Sequence, residues 1–179
     1  MTKSLTLFCA LILLTPLTTF GQRYFAEKSK VTFFSDGVVE DITANNTKVT
    51  SIFDVRGDIA FLLSVKDFEF EKKLMQVHFN EKYMESEKYP KSSFQGRVVG
   101  FDPAIKGTQQ VKAVGKLSIH GVTNEVEAPC TVDLVDNQLL VRSKFMVKLI
   151  DYNIKVPQII WKNIAQQVEV SIDFTYRSL

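Results

Sequence analysis

The stretch VKAVGKLSIHGVTNEVEAPCTVDL, residues 111–134, decides the fold. Up to Ile119 the odd positions are apolar or small (Val111, Ala113, Gly115, Leu117, Ile119), with Lys112, Lys116 and Ser118 between them. From Val122 the even positions take over: Val122, Val126, Ala128, Cys130, Val132 and Leu134 alternate with Thr123, Glu125, Glu127, Thr131 and Asp133. Successive side chains of a strand point to opposite faces, so this period of two reads as strand with one buried face. The parity switches across His120-Gly121, as a tight hairpin or bulge switches a strand register. Gly121 supplies the permissive backbone that such a turn wants. Two antiparallel strands joined at His120-Gly121 are predicted, with Cys130 on the apolar side.

The same period spreads outward in both directions. Phe53, Val55, Gly57, Ile59, Phe61, Leu63 and Val65 share one parity, with Asp54, Arg56, Asp58 and Ser64 between them. They read as a strand pair or one long bent strand, with Gly57 at the bend. After a turn at Asp136-Asn137, Leu139, Val141, Phe145, Val147 and Leu149 alternate with Arg142, Lys144 and Lys148. Near the C-terminus Val168, Val170, Ile172, Phe174 and Tyr176 form another inward row. Val31 and Phe33 begin an earlier strand, and residues 93–101 make one more, ended by Asp102-Pro103. Residues 69–87 (EFEKKLMQVHFNEKYMESE) break the alternation and read as one or two short helices, stopped by Tyr89-Pro90.

About eight strands with mostly short connections imply antiparallel pairing, and one apolar face on each implies a sandwich or closed barrel. An eight-stranded barrel either just fills with side chains or keeps room for one ligand. Gly57, Ala113, Gly115 and Ala128 face inward and are expected to leave space, with large aromatics lining it.

The 179 residues fit one domain once the start is set aside. A basic Lys3, the apolar run of residues 5–14, Pro16, and Thr19 and Gly21 before Gln22 have the form of a secretory signal peptide. Residues 1–21 are therefore expected to be removed, leaving 22–179 as the barrel domain in the periplasm or outside the cell. No later run is long enough for a membrane span. A net charge of +2 with no basic block argues against nucleic acid. Cys130 would remain as a single cysteine, so no internal disulfide is expected.

Little in the chain reads as reaction chemistry. His120 is expected to be a turn histidine making local hydrogen bonds; a catalytic or metal role would need His78, the other imidazole. Cys130 reads as a small core hydrophobe. Glu69 and Glu71 read as solvated. No serine stands in a GxSxG elbow and no phosphate-cradling loop is present. No cofactor, metal or catalytic residue is expected.

GKLSIHGVT (residues 115–123), EKYPKSSF (87–94) and KLIDYNIKVP (148–157) together resemble the YceI-like polyisoprenoid-binding family. The resemblance runs from about residue 30 to the C-terminus. It implies an exported, lipocalin-like, eight-stranded antiparallel barrel with a short helical insertion near residues 70–87. It also implies a cavity for a hydrophobic small molecule such as a polyprenol, a quinone tail, or a fatty acid or amide. Strand parity then nominates Phe33, Phe53, Phe61, Phe94, Phe145 and Phe174 as the cavity wall, with Phe79 and Trp161 over its mouth. A monomer or homodimer is expected. Two alternatives stand beside this reading: a stress-related structural or interaction module with a filled barrel, and a lipid-modifying enzyme using His78 and His120.

Overall fold

The computed structural model describes residues 22–37, 40–135, 138–156 and 166–178. The alternation of residues 111–134 becomes a long hairpin. Strands β7 (Gly107–Ile119) and β8 (Val122–Val135) pair from Ile119↔Val122 to Gly107↔Leu134. The parity switch is made by two left-handed residues, His120 (φ 50°) and Gly121 (φ 75°), as a tight primed-type turn requires.

The remaining strands are β1 (Arg23–Ser35), β2 (Ile42–Asn46), β3 (Thr50–Asp54), β4 (Asp58–Ser64), β5 (Glu69–Phe70), β6 (Lys91–Val99), β9 (Gln138–Lys148) and β10 (Gln167–Ser178). All pairings are antiparallel, and β10 returns to β1 over Tyr24↔Ser178 to Phe34↔Glu169, closing the sheet. The barrel has eight positions, because two of them hold broken strands. β2 and β3 both pair with β1, at its two ends, while β5 pairs with β2 and β4 with β3. Side chains satisfy the backbone where β2 breaks from β3. Asn46 donates its amide to the Ser64 carbonyl (2.9 Å) and accepts from the Lys48 N–H (2.9 Å). The Ser29 hydroxyl donates to the Val49 carbonyl (2.7 Å) and accepts from the Val49 N–H (3.2 Å). Buried backbone groups left without such partners would be costly.

The bend expected at Gly57 is a turn between β3 and β4. Gly57 has φ 88°, and a Cβ there would stand 2.7 Å from the Val98 carbonyl oxygen, so no other residue fits without movement. The helical insertion is α1 (Lys73–His78), running directly into a π-helical turn at Phe79–Tyr83. Glu69 and Phe70 belong to β5 instead of the helix, because their backbone pairs with Ala44 and Asn45. Among the described residues no helix is long and apolar enough to cross a membrane.

The inward face changes character along the barrel axis. At the end bearing the β3–β4 turn it is solid: Phe53, Val132, Leu139, Val141, Phe174 and Tyr176 are all buried. The Tyr176 hydroxyl reaches Ser51 Oγ (2.7 Å), which donates to the Ala60 carbonyl (2.9 Å), so the buried phenol keeps its hydrogen bond. At the opposite end the inward residues Phe33, Ile119, Phe145, Val168 and Val170 are only partly buried. The inward glycine Gly115 does not create this opening. It faces Gly96 across β6 and β7, and the Phe94 ring fills the space above both, within 2.9 Å of where either Cβ would be. The expectation that small residues hollow the barrel is corrected at Gly115: an aromatic from the neighbouring strand takes up its room.

Candidate functional site

The hollow end holds a cavity of about 490 Å³. Its walls are the inward faces of β1 (Val31, Phe33, Ser35), β4 (Phe61, Leu63), β7 (Leu117, Ile119), β9 (Phe145, Val147) and β10 (Val168, Val170). Ile42 of β2 and Phe70 of β5 continue the wall, and Phe68, Met75, Phe79, Tyr83 and Met84 complete it. One wall is a cluster of four phenylalanines. Phe33 stacks on Phe79 (5.4 Å, 17°) and meets Phe68 and Phe70 at 5.5 and 5.6 Å, with Phe70 and Phe79 5.0 Å apart. The floor is Phe61, stacked on Phe94 and edge-on to Phe174, each at 5.7 Å.

The eight nominated aromatics therefore separate. Phe33, Phe61, Phe79 and Phe145 line the cavity. Phe94 and Phe174 lie beneath Phe61 in the packed half, as does Phe53, which touches Phe101 and Tyr176. Trp161 lies outside the described residues. Strand alternation passed over Phe68, Phe70, Met75, Tyr83 and Met84, because they sit on short irregular segments. The one signal available was their high apolar content within an otherwise charged insertion.

His120 does not make local hydrogen bonds, and that expectation is corrected. Its Nδ1 is 3.1 Å from the Tyr152 carbonyl and its Nε2 is 2.9 Å from Glu85 Oε2. The Tyr89 ring packs over the imidazole at 4.3 Å and also touches Gly121. The histidine is buried and ties three segments together: the β7–β8 hairpin, the end of the helical insertion, and the 3-10 turn Leu149–Tyr152. His78 lines the cavity and His120 does not, so the two imidazoles do not share a pocket. Cys130 is buried, which pushes its thiol up to about 12 and leaves it a core residue with no nucleophilic character at neutral pH.

One side of the wall is split. β8 and β9 pair only from Cys130↔Ser143 to Val135↔Gln138. Pro129 marks where the ladder stops, and its carbonyl accepts the Ser143 hydroxyl at 2.7 Å in place of a backbone partner. Proline has no N–H to continue the ladder. Above it the two strands diverge around a second hollow of about 580 Å³, which Phe145 and Val147 share with the main cavity. The far end of the split is tied by Asn124, whose amide donates to the Asp151 carbonyl at 2.7 Å.

An antiparallel barrel of eight positions, solid at one end and apolar and hollow at the other, is a lipocalin-like barrel with a ligand-sized cavity. The chain belongs to the YceI-like family: the family model of the YceI-like domain matches residues 24–176. Among solved structures it is similar to a polyisoprenoid binding domain from Saccharophagus degradans (TM-score 0.74, 15% identity, 87% of this chain and 98% of that one). It is also similar to Burkholderia cenocepacia BcnA (0.71, 18%, 82% and 95%) and to a Campylobacter jejuni YCEI protein (0.62, 14%, 76% and 84%). At these identities the likeness is one of fold. No curated protein matches the chain.

Proposed function

We propose that this protein is exported and holds an isoprenoid or other amphiphilic lipid in the hollow end of its barrel. The observation that carries the reading is the cavity of about 490 Å³ with its nearly continuous apolar lining. A dry apolar pocket of this size favours a ligand with a long hydrocarbon part, because each CH₂ taken from water contributes about 0.8 kcal/mol. The structural neighbour described as a polyisoprenoid binding domain supports the same class of ligand. Phe33, Phe61, Phe79 and Phe145 form the wall in this reading. The filled-barrel alternative calls for an interior without space, which the hollow end disfavours. The enzyme alternative calls for His78 and His120 in one pocket, which their placement disfavours.

The test begins with the exported protein purified from its own envelope or medium. N-terminal sequencing is expected to start at Gln22, and solvent extraction followed by mass spectrometry is expected to release a long-chain lipid. A Phe33→Asp variant, with a carboxylate in the apolar wall, is expected to lose that lipid while remaining folded. An empty barrel that also fails to bind polyprenols, quinones and fatty amides in vitro overturns the proposal.

A further inference from the structure

The cavity is apolar but not uniformly so. Ser35 sits on the inward face of β1 in line with Val31 and Phe33, lines the cavity, and is 2% exposed. Its hydroxyl has no hydrogen-bond partner among the described residues. A buried hydroxyl without a partner destabilises the empty protein, and natural structures contain few of them. Ser92 and Tyr83 also line the cavity, and among the described residues neither has a side-chain hydrogen bond. Burial holds the Tyr83 phenol above its ordinary range, so it stays a neutral donor. These hydroxyls can each give one hydrogen bond and accept at least one.

Charge is distributed differently. Among the described residues no lysine or arginine lines the cavity, and the one carboxylate they contribute, Glu40, is exposed and paired with Lys72. An anionic head drawn into this space would lose water and meet no lysine or arginine among the described lining residues, which is strongly unfavourable. Among the described residues His78 is the only lining side chain that could carry a positive charge.

We infer that the cavity selects lipids whose head is uncharged and bears oxygen, a hydroxyl or carbonyl, and that the Ser35 hydroxyl is the group that binds it. This rests on the lipid-binding reading above and deepens it: it says which amphiphiles the site accepts and where their polar end lies. The head is seated inside the barrel against Ser35, where the hydroxyl gains a partner that none of the described residues provides.

The experiment compares geranylgeraniol with geranylgeranyl monophosphate by titration calorimetry on the exported protein and on S35A, Y83F and H78Q. The alcohol is expected to bind at least about tenfold more tightly than the phosphate, in H78Q as in the unaltered protein. S35A is expected to weaken the alcohol by about five- to tenfold and leave the phosphate unchanged. S35A is also expected to keep or raise the thermal midpoint of the empty protein, because it removes an unsatisfied group; a merely structural serine would lower it. Y83F, on a different segment, is expected to weaken the alcohol by a smaller factor. Equal binding of alcohol and phosphate overturns the selection for an uncharged head. An alcohol affinity indifferent to S35A overturns the role of Ser35. Both of those results leave the lipid-binding reading standing. Failure of both ligands to bind any form overturns this inference, and it removes the lipid-binding reading too if the barrel is empty on extraction and fails to bind quinones and fatty amides.

Discussion

His120 carries more of the architecture than its place in a two-residue turn suggests. The Tyr152 carbonyl can only accept, so Nδ1 donates to it. Nε2 then shares a proton with Glu85, either from a doubly protonated ring to the carboxylate or from a protonated carboxyl to the ring. Removing the imidazole leaves a buried carbonyl unpaired and the Tyr89 ring unsupported. His120→Ala is therefore expected to lower stability by about 1–3 kcal/mol in urea unfolding. The partner substitution sharpens the point. Glu85→Gln can donate its amide to a neutral Nε2 and is expected to be nearly silent, whereas Glu85→Ala is expected to destabilise measurably. Equal losses from both Glu85 variants would remove the hydrogen bond from this account.

At the scale of elements, the β3–β4 turn and the split between β8 and β9 each make a measurable claim. Asp54 organises the turn. Its partial burial opposes the charge, but hydrogen bonds from the Arg56 side chain (2.8 and 3.1 Å) and from the N–H groups of Arg56 and Asp58 outweigh that and hold its carboxyl below its ordinary 3.8. A carboxyl depressed in the folded state contributes stability above its unfolded value and loses it as pH falls through the folded one. Asp54→Asn is expected to be less stable than the parent at neutral pH, with the gap closing below about pH 4. A gap that stays constant down to pH 2 would sink the assignment. The β8–β9 split predicts a sharp step in hydrogen exchange. Amides of β8 that face β9 are expected to be protected from Cys130 to Val135, where the ladder is complete. Those upstream of Pro129 are expected to exchange faster by orders of magnitude, because no strand covers them. Uniform protection along β8 would show the split closed in solution.

Across the whole molecule the barrel divides into a half that provides stability and a half that provides space. Phe174 is fully buried, touching Phe61 and Tyr176, so Phe174→Ala is expected to cost about 3–5 kcal/mol. Phe145 lines the cavity and is partly exposed already, so Phe145→Ala removes fewer contacts and is expected to cost well under half as much. Urea unfolding of the two variants measures the difference; comparable losses would mean that the hollow end is packed. Ligand affinity is expected to respond in the opposite sense, falling for Phe145→Ala and changing little in whatever Phe174→Ala protein remains folded.

The chain alone determined the local order. Its period of two named the strands, the parity switch at His120-Gly121 located a hairpin, and the charged, helix-forming run of residues 69–87 located the insertion. These follow from side-chain alternation and backbone preference, which act over a few residues. Height along the barrel axis is not a local property. Parity put Phe61 and Phe174 on the same inward face, and only the closed sheet set one on the cavity floor and the other beneath it. The same holds for His120, whose partners are 32 and 35 residues away, and for the phenylalanine cluster built by Phe33 of β1, Phe70 of β5, Phe79 of the π-helical turn and Phe68 just before β5. Which inward residues pack and which face a void depends on what the rest of the chain brings across the barrel, and that was decided only by the tertiary structure.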